Sequence, residues 1–91
     1  MTEKCVEVVN LLGLHARAAA RFVDTASRFN SKITVTKDGT TIDGKSILGI
    51  LFLAATAGSE IIIGASGKDE EEAVTALARL VAKGFGEKTL A

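Results

Sequence analysis

Residues 16–43, ARAAARFVDTASRFNSKITVTKDGTTID, change period half-way along, and that change decides the fold class. In the first half Ala19, Phe22, Val23 and Ala26 fall at i, i+3, i+4 and i+7, which is one stripe of an α-helix. Arg17, Arg21, Asp24 and Arg28 fall on the opposite face, and the run Ala18 to Ala20 favours helix intrinsically. The spacing predicts a helix over residues 16–29. In the second half Ile33 and Val35 alternate with Thr34 and Thr36, the mark of a half-buried strand over residues 32–37. Asp38-Gly39 then fits a two-residue hairpin turn needing positive φ at both positions, with residues 40–43 as the return strand.

Working outward, residues 4–9 read as a strand with Val6 and Val8 on one face and Cys5, Glu7 and Val9 on the other. Asn10 to His15 is a loop around Gly13. Ser46 can cap a short helix over residues 47–53. The β-branched run Ile61, Ile62, Ile63 marks a strand over residues 60–65. Residues 69–83 read as a helix with Val74, Leu77, Ala78 and Val81 on its apolar stripe. Asp69 is its expected N-cap, with Glu72 as a capping-box partner, and Gly84 its stop. The order β-α-β-β-α-β-α implies an α+β fold, expected as one domain over residues 1–91.

Composition narrows the function. Eleven Lys and Arg balance eleven Asp and Glu, and the only aromatic residues are four Phe, so neither the charge excess nor the Tyr and Trp stacking surface of a nucleic-acid binder is present. No apolar run reaches the length of a membrane span, and no secretory leader pattern opens the sequence, so the expected location is cytoplasmic. One His and one Cys argue against a transition-metal site, and no cofactor is implied. The lone Cys5 is expected to be a small buried apolar residue.

His15 stands immediately before a predicted helix start. Early helical N–H groups lack intrahelical acceptors, and with the helix dipole they form an anion site. The N–H groups of Ala16, Arg17 and Ala18 would face a phosphate there, and the Arg17 guanidinium could add charge-assisted bonds. Positive potential at that point would keep the ring neutral and nucleophilic. Local sequence alone leaves open the plainer reading, that His15 is only a helix cap.

Gly13-Leu14-His15-Ala16-Arg17 resembles the active-site motif of the HPr family, the phosphocarriers of the phosphoenolpyruvate-dependent phosphotransferase system. Gly44-Lys45-Ser46-Ile47-Leu48-Gly49-Ile50 resembles that family's regulatory serine region. A third stretch, Gly58 to Ile61 followed by Gly67 to Ala73, resembles its last strand and helix entry. The resemblance implies an open-faced β-sandwich, a four-stranded antiparallel sheet covered on one face by three helices. It implies that His15 is phosphorylated on Nδ1 and that Arg17 steadies the phosphate. The implied donor is Enzyme I and the implied acceptor a histidine of enzyme IIA, with the chain a stoichiometric carrier rather than an enzyme. HPr kinase/phosphorylase is a further implied partner, acting on Ser46; neither nucleic acid nor membrane is implied, and a monomer is expected.

One departure stands beside the motif: the family usually has proline after the arginine, and here the residue is Ala18. That change and the Leu/Ile-rich short helix lean towards the nitrogen-related branch of the family. In that helix Ile50 and Leu53 are expected in the core. Ile47, Leu48 and Leu51 are then expected to face solvent as a partner surface rimmed by Arg17, Arg21 and Lys45, unless loops cover them. Two other readings stay open: a regulatory binding module controlled through Ser46, and a ligand-binding domain in which His15 is incidental.

Overall fold

The structure, a computed structural model, describes residues 1–90. Four strands, β1 (Thr2–Glu7), β2 (Lys32–Lys37), β3 (Thr40–Asp43) and β4 (Glu60–Ser66), alternate with three helices, α1 (Ala16–Ala26), α2 (Ile47–Leu53) and α3 (Glu70–Ala82). The sheet is antiparallel throughout, in the order β1-β4-β2-β3. The helices pack over one face, α3 against β1 and β4, α2 against β3, and α1 against both other helices. This is the expected open-faced sandwich.

The period-two alternation explains which side is covered. Ile61, Ile63 and Ala65 of β4 and Ile33 and Val35 of β2 are buried on the helix side with Phe22, Ile50, Leu77 and Val81. Each of these side chains except the small Ala65 contributes about 1.5–3 kcal/mol when fully buried. The hairpin turn has φ of 49° at Asp38 and 82° at Gly39, as its sequence required.

Cys5 is a correction. It is exposed rather than buried, on the open face of β1 opposite Ile62. Strand parity groups it with the exposed Glu7, and parity outweighs the general tendency of cysteine to be buried. Strand β1 also begins and ends two residues earlier than expected, and α1 stops at Ala26 instead of Phe29.

The capping box on α3 is a second correction. Asp69 makes no side-chain cap bond to its own helix. Its carboxylate instead accepts from the Asn30 N–H at 2.8 Å, the Ser31 N–H at 3.0 Å and the Ser31 hydroxyl at 2.5 Å. It thereby ties the start of α3 to the turn before β2. The Ser31 hydroxyl first, then the Asn30 N–H, hold its carboxyl below the usual value of 3.8. A carboxyl lowered in the folded state stabilises fully above its unfolded pKa, and that stability fades as pH falls through the folded value. Asp69→Asn should therefore be less stable than the parent at neutral pH, the gap closing below pH 3.8. Paired urea titrations at neutral and strongly acidic pH check this; a gap unchanged in acid refutes it.

Candidate functional site

The loop before α1 is fixed by backbone contacts. Gly13 has φ of +67°, which glycine adopts without steric cost. A Cβ there would lie 2.6 Å from the Ala55 carbonyl oxygen. The next residue, Leu14, is buried and donates its N–H to that same oxygen at 2.9 Å, joining the loop to the end of α2. His15 follows as the N-cap of α1, with extended backbone, and its carbonyl accepts the first helical bond, from Ala19, at 2.8 Å.

The imidazole is held at both nitrogens. Nδ1 accepts from the Arg17 backbone N–H at 3.3 Å. Nε2 lies 2.7 Å from Oε2 and 2.9 Å from Oε1 of Glu87. The ring is partly open, with 28% of its side chain exposed against 15% for Glu87. A carboxylate on Nε2 fits a ring that carries its proton there, which leaves the Nδ1 lone pair turned to the first turn of the helix.

Glu87 was not anticipated from sequence. Gly84, Phe85 and Gly86 all have positive φ, 64°, 57° and 75°, and this left-handed turn reverses the chain after α3. For a bulky residue such as Phe85 this conformation costs on the order of 1–3 kcal/mol, opposed by burial of its ring. The Arg21 guanidinium donates to the Phe85 carbonyl. Beyond the turn, the Leu11 N–H donates to the Lys88 carbonyl at 2.9 Å and the Leu90 N–H to the Val9 carbonyl at 2.8 Å. The chain's last described residues thus lie along the loop that carries His15.

Asn10 fills the space between. It is fully buried, and its Nδ2 donates to the Gly13 carbonyl at 2.7 Å and to Glu87 Oε1 at 3.0 Å. With two acceptors facing that end, the amide can point only one way, and its Oδ1 is left without a partner among the described residues. The Asn10 bond is the strongest influence holding the Glu87 carboxyl below its usual value. Burial opposes it, and the His15 bond adds to it. From sequence alone the ring meets only positive potential, from the helix start and Arg17. The structure adds a carboxylate at hydrogen-bond distance, which acts in the opposite sense.

The other expected residues are distributed as follows. Arg17 is exposed, and its guanidinium enters no ion pair or hydrogen bond among the described residues. Ala16 is exposed and Ala18 wholly buried; their N–H groups belong to the unpaired first turn. Arg21 is exposed but tethered to Phe85. Lys45 donates to the Phe29 carbonyl at 2.8 Å. That bond lies past the far end of α1, about 16 Å along the helix from His15 at 1.5 Å per residue. Ser46 caps α2, its Oγ accepting from the Gly49 N–H at 3.0 Å.

Of the expected surface on α2, Ile47 and Leu48 are exposed, while Leu51 is half-buried against the core. Phe52, which sequence reasoning did not place, is exposed instead; it stands at i+4 from Leu48, so the two share a face. Leu11 and Leu12, beside the His15 loop, are likewise exposed and were not anticipated. Loop residues carry no period from which their exposure could be read.

A family model described as the PTS HPr component phosphorylation site matches residues 2–83. The chain is 46% identical over 87 residues to Phosphocarrier protein HPr of Neisseria meningitidis, covering 96% of this chain and 98% of that protein. It is similar to the crystal structure of HPr-C-His from Thermoanaerobacter tengcongensis, with a TM-score of 0.93 and 48% identity over 97% of this chain and 99% of that one. A crystal structure of an HPr dimer from the same organism matches with a TM-score of 0.77 and 48% identity, over 96% of this chain and all of that one. That dimer runs against the expectation of a monomer, which similarity to these proteins does not support.

Proposed function

Because the chain belongs to the HPr family of phosphocarrier proteins, we propose that Nδ1 of His15 accepts a phosphoryl group from phospho-Enzyme I and passes it to a histidine of an enzyme IIA protein or domain. The observation that carries this reading is the orientation of the ring. Nδ1 meets the Arg17 N–H at the start of α1 while Nε2 is occupied by Glu87. A phosphoryl group on Nδ1 would enter the field of the first-turn N–H groups, with the Arg17 guanidinium as a mobile cation beside it. The dipole contributes only about 0.3–1 kcal/mol, small enough that the group can leave again. The proposed setting is cytoplasmic, and no helix among the described residues is long and apolar enough to cross a membrane.

The test is incubation with Enzyme I and labelled phosphoenolpyruvate, followed by addition of an enzyme IIA. A label that is acid-labile and base-stable, and that moves to the IIA, supports the reading. A protein that stays unlabelled overturns it.

Ala18 gives a finer expectation. Proline is tolerated in a helix's first turn but lacks the N–H. Ala18→Pro should fold and accept phosphate, yet lose one donor near the phosphoryl oxygens. The net value of one such bond is about 1 kcal/mol. The half-life of the phosphohistidine should then shorten about fivefold; an unchanged half-life refutes the argument.

A second, compatible reading concerns Ser46. Its hydroxyl sits at the N-terminus of α2, directly before exposed Ile47 and Leu48. A phosphate on that oxygen would add about −1.5 to −2 charges there without opposing the helix dipole. It would weaken docking of an apolar or acidic partner. A stable label from ATP and an HPr kinase, absent in Ser46→Ala, distinguishes this regulation from histidine transfer.

A further inference from the structure

We propose that Glu87 is a positioning residue for phosphoryl transfer, holding the proton of His15 on Nε2 so that Nδ1 is the unprotonated nitrogen. The proposal rests on the carrier reading above and specifies what readies the ring. Neutral imidazole in water exchanges its proton between the two nitrogens, and only one of the two forms leaves Nδ1 able to attack phosphorus. Both carboxylate oxygens of Glu87 lie within 2.9 Å of Nε2. A carboxylate there accepts the Nε2–H and favours the productive form. The same carboxylate–histidine pairing orients rings in other catalytic and metal sites.

The arrangement is more elaborate than docking the tail requires. Backbone bonds at Leu11 and Leu90, the buried Phe85 ring and the Arg21 contact already hold residues 84–90 against the loop. Asn10 adds a further bond, its Nδ2 holding both the Gly13 carbonyl of the loop and the Glu87 carboxylate. Its amide is fully buried, its Nδ2 bonds Oε1, and its own Oδ1 goes without a partner. Leaving a buried acceptor unpaired costs about 1–3 kcal/mol. The fixed amide turns the acceptor side of Glu87 towards the ring, and the lowered carboxyl pKa keeps it ionised at neutral pH.

The carboxylate also matters during the step. The Nδ1 pair forms a bond to phosphorus as the donor's N–P bond breaks, its electron pair remaining on the donor nitrogen. The His15 proton stays on Nε2, so the phosphorylated ring is formally cationic. Glu87 lies beside that new charge and compensates it, which favours phosphoryl uptake.

The test pairs ring 15N spectroscopy at about pH 8.5, where imidazole is ordinarily neutral, with uptake kinetics from Enzyme I in the parent and Glu87→Gln. In the variant the Gln oxygen stays with Asn10 Nδ2, and its NH2 group takes the place of Oε2, the nearer of the two atoms to Nε2 at 2.7 Å. That contact disfavours Nε2–H and should shift the ring towards Nδ1–H. The Arg17 N–H on Nδ1 itself favours Nε2–H, so the parent should show Nε2–H alone and the variant a measurable fraction of Nδ1–H. Uptake should fall about tenfold as the cationic ring also loses its carboxylate. Amide exchange at Leu11 and Leu90 shows whether the tail stays docked. Both Glu87 oxygens bond the ring directly, so a tautomer change with either a docked or a released tail supports the proposal. A variant ring that stays Nε2–H overturns it, as does a changed ring with unchanged uptake. If the parent takes up no phosphate, the carrier reading fails, and the ring spectrum still decides what Glu87 does to the proton.

Discussion

His15→Ala should retain its fold and take up no phosphoryl group from Enzyme I and phosphoenolpyruvate. The chain has no second histidine to receive it. The exposed Cys5 sits on the open face of the sheet, opposite Ile62 and on the side away from the helices. Loss of label should therefore be complete, not partial. The structural effect should be small because little of the fold rests on the ring. The substitution removes the Nδ1 cap on the Arg17 N–H, and capping losses of this kind cost about 0.5–2 kcal/mol. Glu87 keeps its bond to Asn10. Quantified labelling beside a thermal melt checks both halves. Residual acid-labile label in His15→Ala would place the acceptor elsewhere.

Phe22→Ala should have the largest effect on stability. Phe22 is essentially inaccessible on the inner face of α1, within the cluster that joins all three helices to the sheet. Truncating a buried phenylalanine costs about 3–5 kcal/mol, the transfer of the ring plus the cavity it leaves. Domains of this size hold only about 5–15 kcal/mol in total. At about 4–8 °C per kcal/mol the melting temperature should fall by roughly 12–40 °C. The two substitutions separate chemistry from folding. Phe22→Ala should still take up phosphate in proportion to its folded fraction at low temperature, because the loop, Arg17 and Glu87 are unchanged. A variant melting within a few degrees of the parent would mean the core closes around the gap.

Local patterns determined a good deal here. The i, i+3, i+4, i+7 stripe of α1, the alternation of β2 and β4 and the Asp38-Gly39 turn each depend on neighbours a few residues away. Helix and strand periods are properties of a short window, so they can be read from it. The position of His15 at the start of α1 was legible for the same reason. Asp69 shows where that reading ends: its residue type and place announced a cap, but a serine 38 residues earlier in the chain competes for its oxygens and takes them.

The strand order and the Glu87 contact belong to the tertiary structure alone. All four strands could pair in many orders, and only packing of α1 and α3 on one face inserts β4 between β1 and β2. Glu87 lies 72 residues from His15, and the two meet because three consecutive left-handed residues turn the tail back over residues 9–11. No periodicity carries that information. A contact between distant segments is fixed by which surfaces remain uncovered once the core has closed, and that is a property of the folded chain, not of any stretch of it.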